Sequence, residues 1–427
     1  MTVNDSLDMP VCYADSQEKL GEVLKCLATE PLIGVDTEFV RIETLYPLVA
    51  LVQLYDGKRV YLVDVISLDM KQRDAFWKAF VASDARFVFF SMREDLEVIY
   101  HCSGSLPKHI DDLQMMLPYV GETRKLGLAA IIKLLLGVEI LKDQTTSIWM
   151  TRPLNSQQIR YAALDVYYLL DMYRILKERI DANGHSRYYD QDVMVMVIRT
   201  LHPADPDKAY LKHADSSMSV RQMARLRELV RYRRRKGEEE NIALSRIIPG
   251  AALPKLVKTR MHDGRSLVIA GMHPKAVKLY GHDILDILYS SHLDEDGIFT
   301  GSLIPNSEYS KFGNMLIEDI RAFCDSRGIH RDAGVSRRET SDLCLWLGCD
   351  MREQLETPPV LYSPWKTEFL EKILRDSQEF GDSDLSFLHV DVGRYARTES
   401  APQGAGDAPD KTASAAGDGS INSGDAG

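Results

Sequence analysis

Two acidic residues, Asp36 and Glu38, stand two positions apart in an otherwise apolar stretch. The surrounding sequence, Pro-Leu-Ile-Gly-Val-Asp-Thr-Glu-Phe-Val-Arg at 31–41, is typical of a mostly buried β-strand. Because side chains alternate along a strand, both carboxylates face one side and Thr37 faces the other. Buried carboxylates must be neutralised, and a hard cation such as Mg²⁺ or Mn²⁺ takes oxygen ligands of this kind. The pair indicates a metal site, although taken alone it is more often a solvated strand end or an N-cap.

Further acidic residues later in the chain favour the metal interpretation. Asp95 lies near the start of a predicted helix that follows a buried strand, and Asp165 lies on a later predicted helix, four residues after Tyr161. Residues at i and i+4 share a helix face about 6 Å apart, so the Tyr161 hydroxyl can lie beside whatever Asp165 binds. The alternatives are a helix-dipole acid for Asp95 and a half-buried aromatic beside an exposed acid for the pair.

The elements that must position these residues form a predicted α/β domain. Apolar residues at helical spacing predict helices over 14–29, 70–82, 91–100 and 126–136, and apolar runs predict strands over 31–41, 48–55, 59–65 and 86–90. A short strand at 109–113 runs into a helix. Asp56-Gly57 predicts a type I′ hairpin between the second and third strands, because Gly tolerates positive φ. Strands interleaved with helices predict an α/β fold up to about residue 200.

The order of these motifs resembles the tyrosine form of the DEDD exonucleases, and ribonuclease D in detail. The first motif is Asp-Thr-Glu-Phe-Val-Arg at 36–41, extended by Thr44, Pro47, Gln53 and Leu54. The second is Glu-Asp-Leu-Glu-Val at 94–98, and the third is Arg-Pro-Leu at 152–154 followed by Tyr-Ala-Ala-Leu-Asp at 161–165. The resemblance implies a ribonuclease H-like domain with a mixed sheet.

The same resemblance implies roles for five catalytic residues. Two Mg²⁺ or Mn²⁺ ions about 4 Å apart would drive phosphodiester hydrolysis. Asp36 would bridge both ions, Glu38 and Asp165 would complete one site, and Asp95 would hold the second ion. Tyr161 would orient the attacking water, because a phenol is a poor base but a good hydrogen-bonding group.

Three further residues are expected to contact the substrate. Phe39 would wedge against the terminal base, with a core phenylalanine as an equal alternative. Lys142 and Arg152 would contact phosphates, whereas any single cation is more often a solvated surface residue.

Composition restricts the class of protein. The chain has 427 residues, a hydrophobic content of 45% and a net charge of −11. It shows no apolar run long enough for a membrane span and no basic leader followed by an apolar segment, so we expect a cytoplasmic protein. Its six cysteines lack CxxC spacing, which argues against a zinc knuckle or a disulfide framework. Residues 208–291 hold 17 Lys and Arg against 8 Asp and Glu, which is one basic module in an acidic chain.

Four segments are expected. Residues 1–205 form the exonuclease domain, and residues 208–292 resemble an HRDC domain through Leu-Arg-Glu-Leu-Val at 226–230, a motif at 242–249 and Tyr-Gly-His-Asp-Ile-Leu at 280–285. Residues 308–380 would be a second, all-α HRDC-like domain, and 381–427 an acidic, disordered tail. Within the HRDC module, the run Arg-Tyr-Arg-Arg-Arg-Lys at 231–236 is by itself as compatible with a solvated helix face as with RNA binding, but the neighbouring phosphate-cleaving domain favours a polyanion-binding surface.

The expected function is metal-dependent 3′ to 5′ trimming of RNA, such as tRNA precursors, by a monomer that releases nucleoside 5′-monophosphates. Two rivals remain open. One is a 3′ to 5′ exonuclease that prefers DNA, and the other is an RNA-binding scaffold without catalytic activity.

Overall fold

A mixed six-stranded sheet forms the centre of the N-terminal part of the chain. The computed structural model describes residues 10–41, 43–140, 148–201, 206–299, 307–348, 362–378, 380–381, 385 and 388. Within them the strands are β1 (Val11–Ala14), β2 (Leu32–Val40), β3 (Leu48–Tyr55), β4 (Val60–Val63), β5 (Arg86–Phe89) and β6 (His109–Asp112). Their order is β1-β4-β3-β2-β5-β6. The β2–β3 and β3–β4 pairs are antiparallel, and the other three pairs are parallel. The predicted meander and mixed sheet are confirmed.

Helices pack against the strands of this sheet. In chain order they are α1 (Gln17–Thr29), α2 (Met70–Ala82), α3 (Arg93–Ser103), α4 (Leu113–Met116), α5 (Leu128–Leu136), α6 (Ser156–Tyr167), α7 (Leu169–Ala182) and α8 (Ser186–Leu201). Side-chain caps begin several of them: Ser16 caps α1, Asp69 caps α2 with Gln72, and Asn155 caps α6 with Gln158. The caps fix where α6, the predicted carrier of Asp165, begins.

The hairpin between β3 and β4 differs from the expected type. Gly57 has φ +88°, but Lys58 is not among the described residues with positive φ. A type I′ turn needs positive φ at both central residues, so the type I′ expectation is wrong. Instead, the Asp56 carboxylate accepts hydrogen bonds from the backbone amides of Lys58 and Arg59, both at 2.7 Å, which stabilises the turn.

The basic module is a separate bundle of helices with its own hydrophobic core. It contains α9 (Val220–Glu240), α10 (Leu244–Ile247), α11 (Leu253–Lys258), α12 (Gly264–Ile269) and α13 (Pro274–Tyr289). The apolar spacing over 266–290 predicts a helix there, but the structure has two helices, α12 and α13. The chain breaks at Gly271, whose φ is +112°, and restarts at Pro274 in the first turn of α13, where a proline is favourable.

The C-terminal helices pack onto the exonuclease domain. They are α14 (Ser307–Arg327), α15 (Arg337–Gly348) and α16 (Pro364–Arg375). Their buried side chains belong to the same hydrophobic cluster as the sheet. The Tyr188 ring of α8 lies 5.4 Å from that of Phe323 and 5.6 Å from that of Trp365. The proposed tail at 381–427 lies outside the described residues apart from 381, 385 and 388.

The basic module contacts the loop that follows the catalytic strand candidate β2. The Tyr46 amide donates to Asn241 Oδ1 at 2.9 Å, and the Ala243 amide donates to the Glu43 carbonyl at 2.8 Å. Arg246 pairs with the Glu43 carboxylate. The module is thus attached next to the end of β2. Among the described helices, none is long and apolar enough to cross a lipid bilayer.

Candidate active site

Three carboxylates converge on the inner strand β2. One oxygen from each of Asp36, Glu38 and Asp165 lies within 4.8 Å of the other two. β2 pairs with β3 from Gly34 to Val40 and with β5 only from Leu32 to Gly34, so the backbone of Asp36 and Glu38 is held on the β3 side. The β2–β3 register shifts between Glu38 and Phe39, an irregularity that often re-aims side chains beside functional sites. The sequence prediction that these three acids share one site agrees with this geometry.

Helix α6 reaches the strand because β2 carries a glycine opposite it. A Cβ at Gly34 would lie 3.3 Å from both the Leu169 Cβ and the Val166 carbonyl oxygen. That distance is tighter than ordinary van der Waals contact, so the missing side chain permits the close approach. Ala162 and Ala163, both buried, give α6 a narrow face toward the sheet. These small residues bring Asp165 to the two acids of β2.

Asp95 is held separately from the trio. It is buried in the first turn of α3, and its Oδ1 accepts a hydrogen bond from Thr37 Oγ1 at 2.5 Å. Its negative charge still acts on Asp36, whose pKa it raises. The structure therefore brings all four predicted acids into one electrostatic cluster, with Asp95 attached through Thr37.

Asp112, which was not predicted as a site residue, positions the segment before Asp95. This buried carboxylate accepts hydrogen bonds from the backbone amides of Ser91 at 3.2 Å, Met92 at 2.7 Å and Met115 at 3.1 Å. Ser91 has φ +67°, a conformation unfavourable for a residue with a side chain. Asp112 thus stabilises the turn from which α3 starts. An acid at the end of β6, followed at once by a helix, was the available sequence signal.

Burial and mutual repulsion disfavour ionisation of the four acids in the absence of a cation. Burial raises the pKa of Asp36 well above its ordinary value, and the charges of Asp95, Asp165 and Glu38 raise it further. Burial, with Asp165 and Asp95, raises the pKa of Glu38 to about 8. Burial also raises the pKa of Asp95 and of Asp165 to about 7, each partly offset by a hydrogen bond, from Thr37 and Tyr161 respectively. Among the described residues, no Lys, Arg or His forms an ion pair with any of them.

Tyr161 lies one helical turn before Asp165, as predicted. Burial raises the pKa of its phenol, and the charges of Asp165, Glu38 and Asp36 raise it further. The phenol therefore stays protonated at neutral pH, and its single O–H donates to the Asp165 carboxylate. Its ring lies 6.1 Å from that of Trp149, which restricts its position.

The guanidinium of Arg152 is held entirely by hydrogen bonds to protein atoms. Its Nε and one Nη bind the buried Asp64 carboxylate at 2.7 and 2.6 Å. Its other N–H groups donate to the carbonyl oxygens of Ala50, Trp149 and Thr151. All five donors of the guanidinium are thus used within the protein. This geometry favours a clamp between the sheet and the segment leading into α6 over the predicted phosphate contact.

The other two predicted substrate contacts have different outcomes. Phe39 is partly buried just after the register shift in β2, a position compatible with both the wedge and the core interpretation. Lys142 lies in 141–147, outside the described residues. Both remain predictions.

The donor set fits divalent cations. Carboxylate oxygens clustered within 4.8 Å, without a cationic side chain paired to them in the described part of the chain, are what a hard metal ion would neutralise. Asp36, Glu38 and Asp165 could share one ion, and Asp95 could contribute from the side of α3. This arrangement on a mixed sheet is suited to metal-dependent hydrolysis of phosphodiester bonds.

Comparison with known proteins assigns the chain to a family. Residues 11–181 match the family model described as 3′-5′ exonuclease, and residues 222–288 match the HRDC domain. Ribonuclease D of Pseudomonas paraeruginosa is 31% identical, over 61% of this chain and 69% of that protein. Ribonuclease D of Haemophilus influenzae is 28% identical, over 83% of this chain and 89% of that protein. The chain belongs to the ribonuclease D family.

Structural similarity covers the same extent. The crystal structure of Escherichia coli RNase D superposes with a TM-score of 0.76 at 24% identity, over 86% of this chain and 99% of that one. The predicted fold class is therefore confirmed. The family and the exonuclease domain together make the chain a 3′ to 5′ exoribonuclease that acts on RNA, as the sequence predicted.

Proposed function

We propose that the chain trims the 3′ end of structured RNA, including tRNA precursors, in a reaction that needs two divalent cations, Mg²⁺ or Mn²⁺. The observation that carries the proposal is the convergence of Asp36, Glu38 and Asp165 within 4.8 Å, with Asp95 adjacent through Thr37. Four carboxylates are more negative charge than one divalent ion neutralises. This surplus supports two ions over one.

Each residue has a distinct role in this proposal. Asp36, whose pKa responds to the charges of the other three acids, would help to hold both ions, Glu38 and Asp165 would hold one of them, and Asp95 would hold the other. Bound there, the two ions would activate water, neutralise charge on the phosphate and assist the departing 3′ oxygen. Tyr161 would orient the attacking water by accepting a hydrogen bond at its hydroxyl oxygen while its single O–H donates to Asp165, because a phenol that stays protonated at neutral pH does not act as a base.

The HRDC module supplies an RNA-binding surface, but not through the run at 231–236. There Arg233 is buried and donates to the Ile248 carbonyl at 3.1 Å. The other cations of the run pair with acids at 2.7 to 3.9 Å. The solvated-face interpretation therefore suits α9 better.

Exposed cations on α11 to α13 are the better candidates. Lys255, Arg265, Lys275 and Lys278 are exposed and form no ion pair within the described ranges. A Lys275→Gln/Lys278→Gln variant should bind RNA more weakly and with a shallower salt dependence, by roughly 0.7 in the log–log slope for each phosphate that the variant no longer neutralises. The matched Arg234→Gln/Arg235→Gln variant should change both little. The opposite ranking would place the RNA on α9.

Structured RNA is favoured as the substrate by the E. coli relative, whose structure is described as that of an exoribonuclease involved in structured RNA processing. In this proposal the enzyme works as a monomer in the cytoplasm. The experiment uses 5′-labelled tRNA precursor with a 3′ trailer, the same sequence unfolded, and a DNA copy. Trailer removal from the precursor with little action on DNA supports the proposal. Faster shortening of DNA would support the rival DNA exonuclease, and binding without shortening would support the scaffold.

A further inference from the structure

Gln53 is a buried amide beside the acidic cluster, and none of the roles proposed for the site residues involves it. It lies on β3 and its side chain is fully buried. Within the described residues, neither its Nε2 nor its Oε1 has a hydrogen-bond partner. Buried polar groups are nearly always hydrogen-bonded, and leaving one unpaired is unfavourable. An amide kept at such a cost in stability is typical of a residue that serves a functional site.

The strand register places Gln53 directly opposite Asp36. The two residues pair across the antiparallel strands β2 and β3. Directly paired residues point to the same face of a sheet, and their Cβ atoms are about 4.5–5.5 Å apart. A glutamine and an aspartate side chain together span that separation, and the terminal torsions of both side chains rotate easily. The amide of Gln53 is therefore within reach of the Asp36 carboxylate.

The face that Gln53 shares with Asp36 is the one covered by α6. Tyr55 lies two residues after Gln53 on β3, and its ring is 5.2 Å from that of Tyr167 in α6. Residues two positions apart on a strand share a face, so Gln53 also lies beneath α6. That helix carries Asp165. The amide thus occupies the layer between the sheet and α6 in which the carboxylates converge.

The other neighbours of the amide in this layer are apolar. On β4, the residue paired with Gln53 is Leu62, which is fully buried. On α6, the buried residues Ala162 and Ala163 have no polar side-chain atom. Of the two residues paired directly with Gln53, Asp36 is the one with a hydrogen-bonding side chain. A carboxylate only accepts hydrogen bonds, so the Nε2 end of the amide is its complement.

We propose that Gln53 is a positioning residue, whose Nε2 donates a hydrogen bond to the Asp36 carboxylate and orients it for divalent metal binding. The Thr37 backbone already donates to Asp36 from β2, and Gln53 supplies a second donor from β3. Carboxylates that bind metals are usually oriented by further hydrogen bonds of this kind. A bond to a carboxylate is also stronger than one between neutral groups. This role rests on the proposed metal-binding function of Asp36.

The test measures Mn²⁺ binding to the substrate-free full chain by isothermal titration calorimetry, so RNA turnover does not enter. Gln53→Met has nearly the same size and shape but no N–H group. It should bind Mn²⁺ about tenfold to a hundredfold more weakly than the wild type. In EDTA it should unfold close to the wild-type temperature, because the amide that it replaces forms no hydrogen bond within the described residues. Unchanged Mn²⁺ affinity would show that Gln53 only fills space and would overturn the proposal.

Leu62→Met is the matched control. It changes the packing on the other side of Gln53 but removes no polar group, so it should bind Mn²⁺ as the wild type does. An equal loss of affinity in Leu62→Met would attribute the effect to packing and overturn the proposal.

Asp36→Asn separates this role from the proposed function. If Asp36→Asn loses Mn²⁺ affinity while Gln53→Met keeps it, only the role of Gln53 fails. If Asp36→Asn binds Mn²⁺ as the wild type does, the metal site itself is wrongly assigned and the role of Gln53 fails with it. Because Gln53 acts through Asp36, adding Gln53→Met to Asp36→Asn should lower the affinity no further.

A crystal structure of the full wild-type chain with Mg²⁺ gives a second test that needs no variant. Gln53 Nε2 should lie within about 3.2 Å of an Asp36 carboxylate oxygen. A separation of about 3.6 Å or more, with Mg²⁺ bound to Asp36, would overturn the proposal and leave the metal site intact.

Discussion

Thr37 Oγ1 donates a 2.5 Å hydrogen bond to Asp95 Oδ1, and this bond joins β2 to the start of α3. Thr37 lies between Asp36 and Glu38 and faces the other side of the strand. The same three-residue segment therefore carries two of the acids and donates a hydrogen bond to a third, Asp95. The bond favours the ionised form of Asp95, whose pKa burial otherwise raises. Thr37 is thus a positioning residue for the acidic cluster.

Replacing Thr37 by Val should weaken metal binding more than it weakens folding. Valine keeps the shape but leaves Asp95 without its donor, so ionised Asp95 becomes less favourable. We expect activity at limiting Mg²⁺ to fall about tenfold and to recover in part at high Mg²⁺. Thr37→Ser, which retains the hydroxyl, is the control. An unchanged Mg²⁺ titration for Thr37→Val would contradict the positioning role.

Removing one charge from the acidic cluster should stabilise the metal-free protein at alkaline pH. The pKa of Glu38 is about 8 in the folded state and lower in the unfolded state. At pH values between these two pKa values, the folded state binds more protons than the unfolded state. Stability in EDTA therefore declines as pH rises through that window. Glu38→Gln should melt higher than wild type at about pH 8.5, with the difference shrinking toward about pH 5.5. Thermal unfolding in EDTA measures this, and a difference independent of pH would refute it.

Asp112→Asn should impair both stability and catalysis. The amide can accept hydrogen bonds through only one of its two atoms, so a backbone amide of Ser91, Met92 or Met115 loses its acceptor. We expect the free energy of unfolding to fall by about 1–3 kcal/mol and the remaining folded enzyme to need more metal. Asp111→Asn is the control, since Asp111 binds Arg86 and Tyr189 rather than α3. Equal metal dependence in the two variants would contradict the role of Asp112.

Arg152→Lys should reduce stability without weakening RNA binding. Lysine cannot reproduce the paired contacts to Asp64 or the three carbonyl contacts, so the free energy of unfolding should fall by about 2 kcal/mol or more. Chemical denaturation measures that loss, and KM for RNA measures binding. A raised KM with unchanged stability would restore Arg152 as a phosphate contact.

Local pattern predicted the parts of the site that lie on single elements. The alternation of β2 placed Asp36 beside Glu38, and helical spacing placed Tyr161 beside Asp165. The resemblance to the family added Asp95. The contributions of Thr37, Asp64 and Asp112 depend on partners 58, 88 and about 20 residues away, so neither periodicity nor propensity predicts them.

The clustering of charged residues predicted the RNA-binding surface less well than periodicity predicted the acidic site. The run at 231–236 suggested a polyanion-binding surface, yet its cations other than Arg233 pair with acids three or four residues away, and Arg231 also pairs with Asp207. Pairing at i, i+4 could have been anticipated from Arg234 and Glu238. The burial of Arg233 against Ile248 depends on how α9 packs, so it could not have been anticipated from the sequence.

The most direct measurement compares wild type with Asp36→Asn on a 5′-labelled single-stranded RNA with Mg²⁺, with Mn²⁺ and with EDTA. The wild type should give a ladder that shortens from the 3′ end with metal and not with EDTA. Asp36→Asn should lose several orders of magnitude in rate, because the residue shared by both proposed ions is gone. Turnover by Asp36→Asn at the wild-type rate, or shortening in EDTA, would contradict the assignment of the acidic cluster as the catalytic centre.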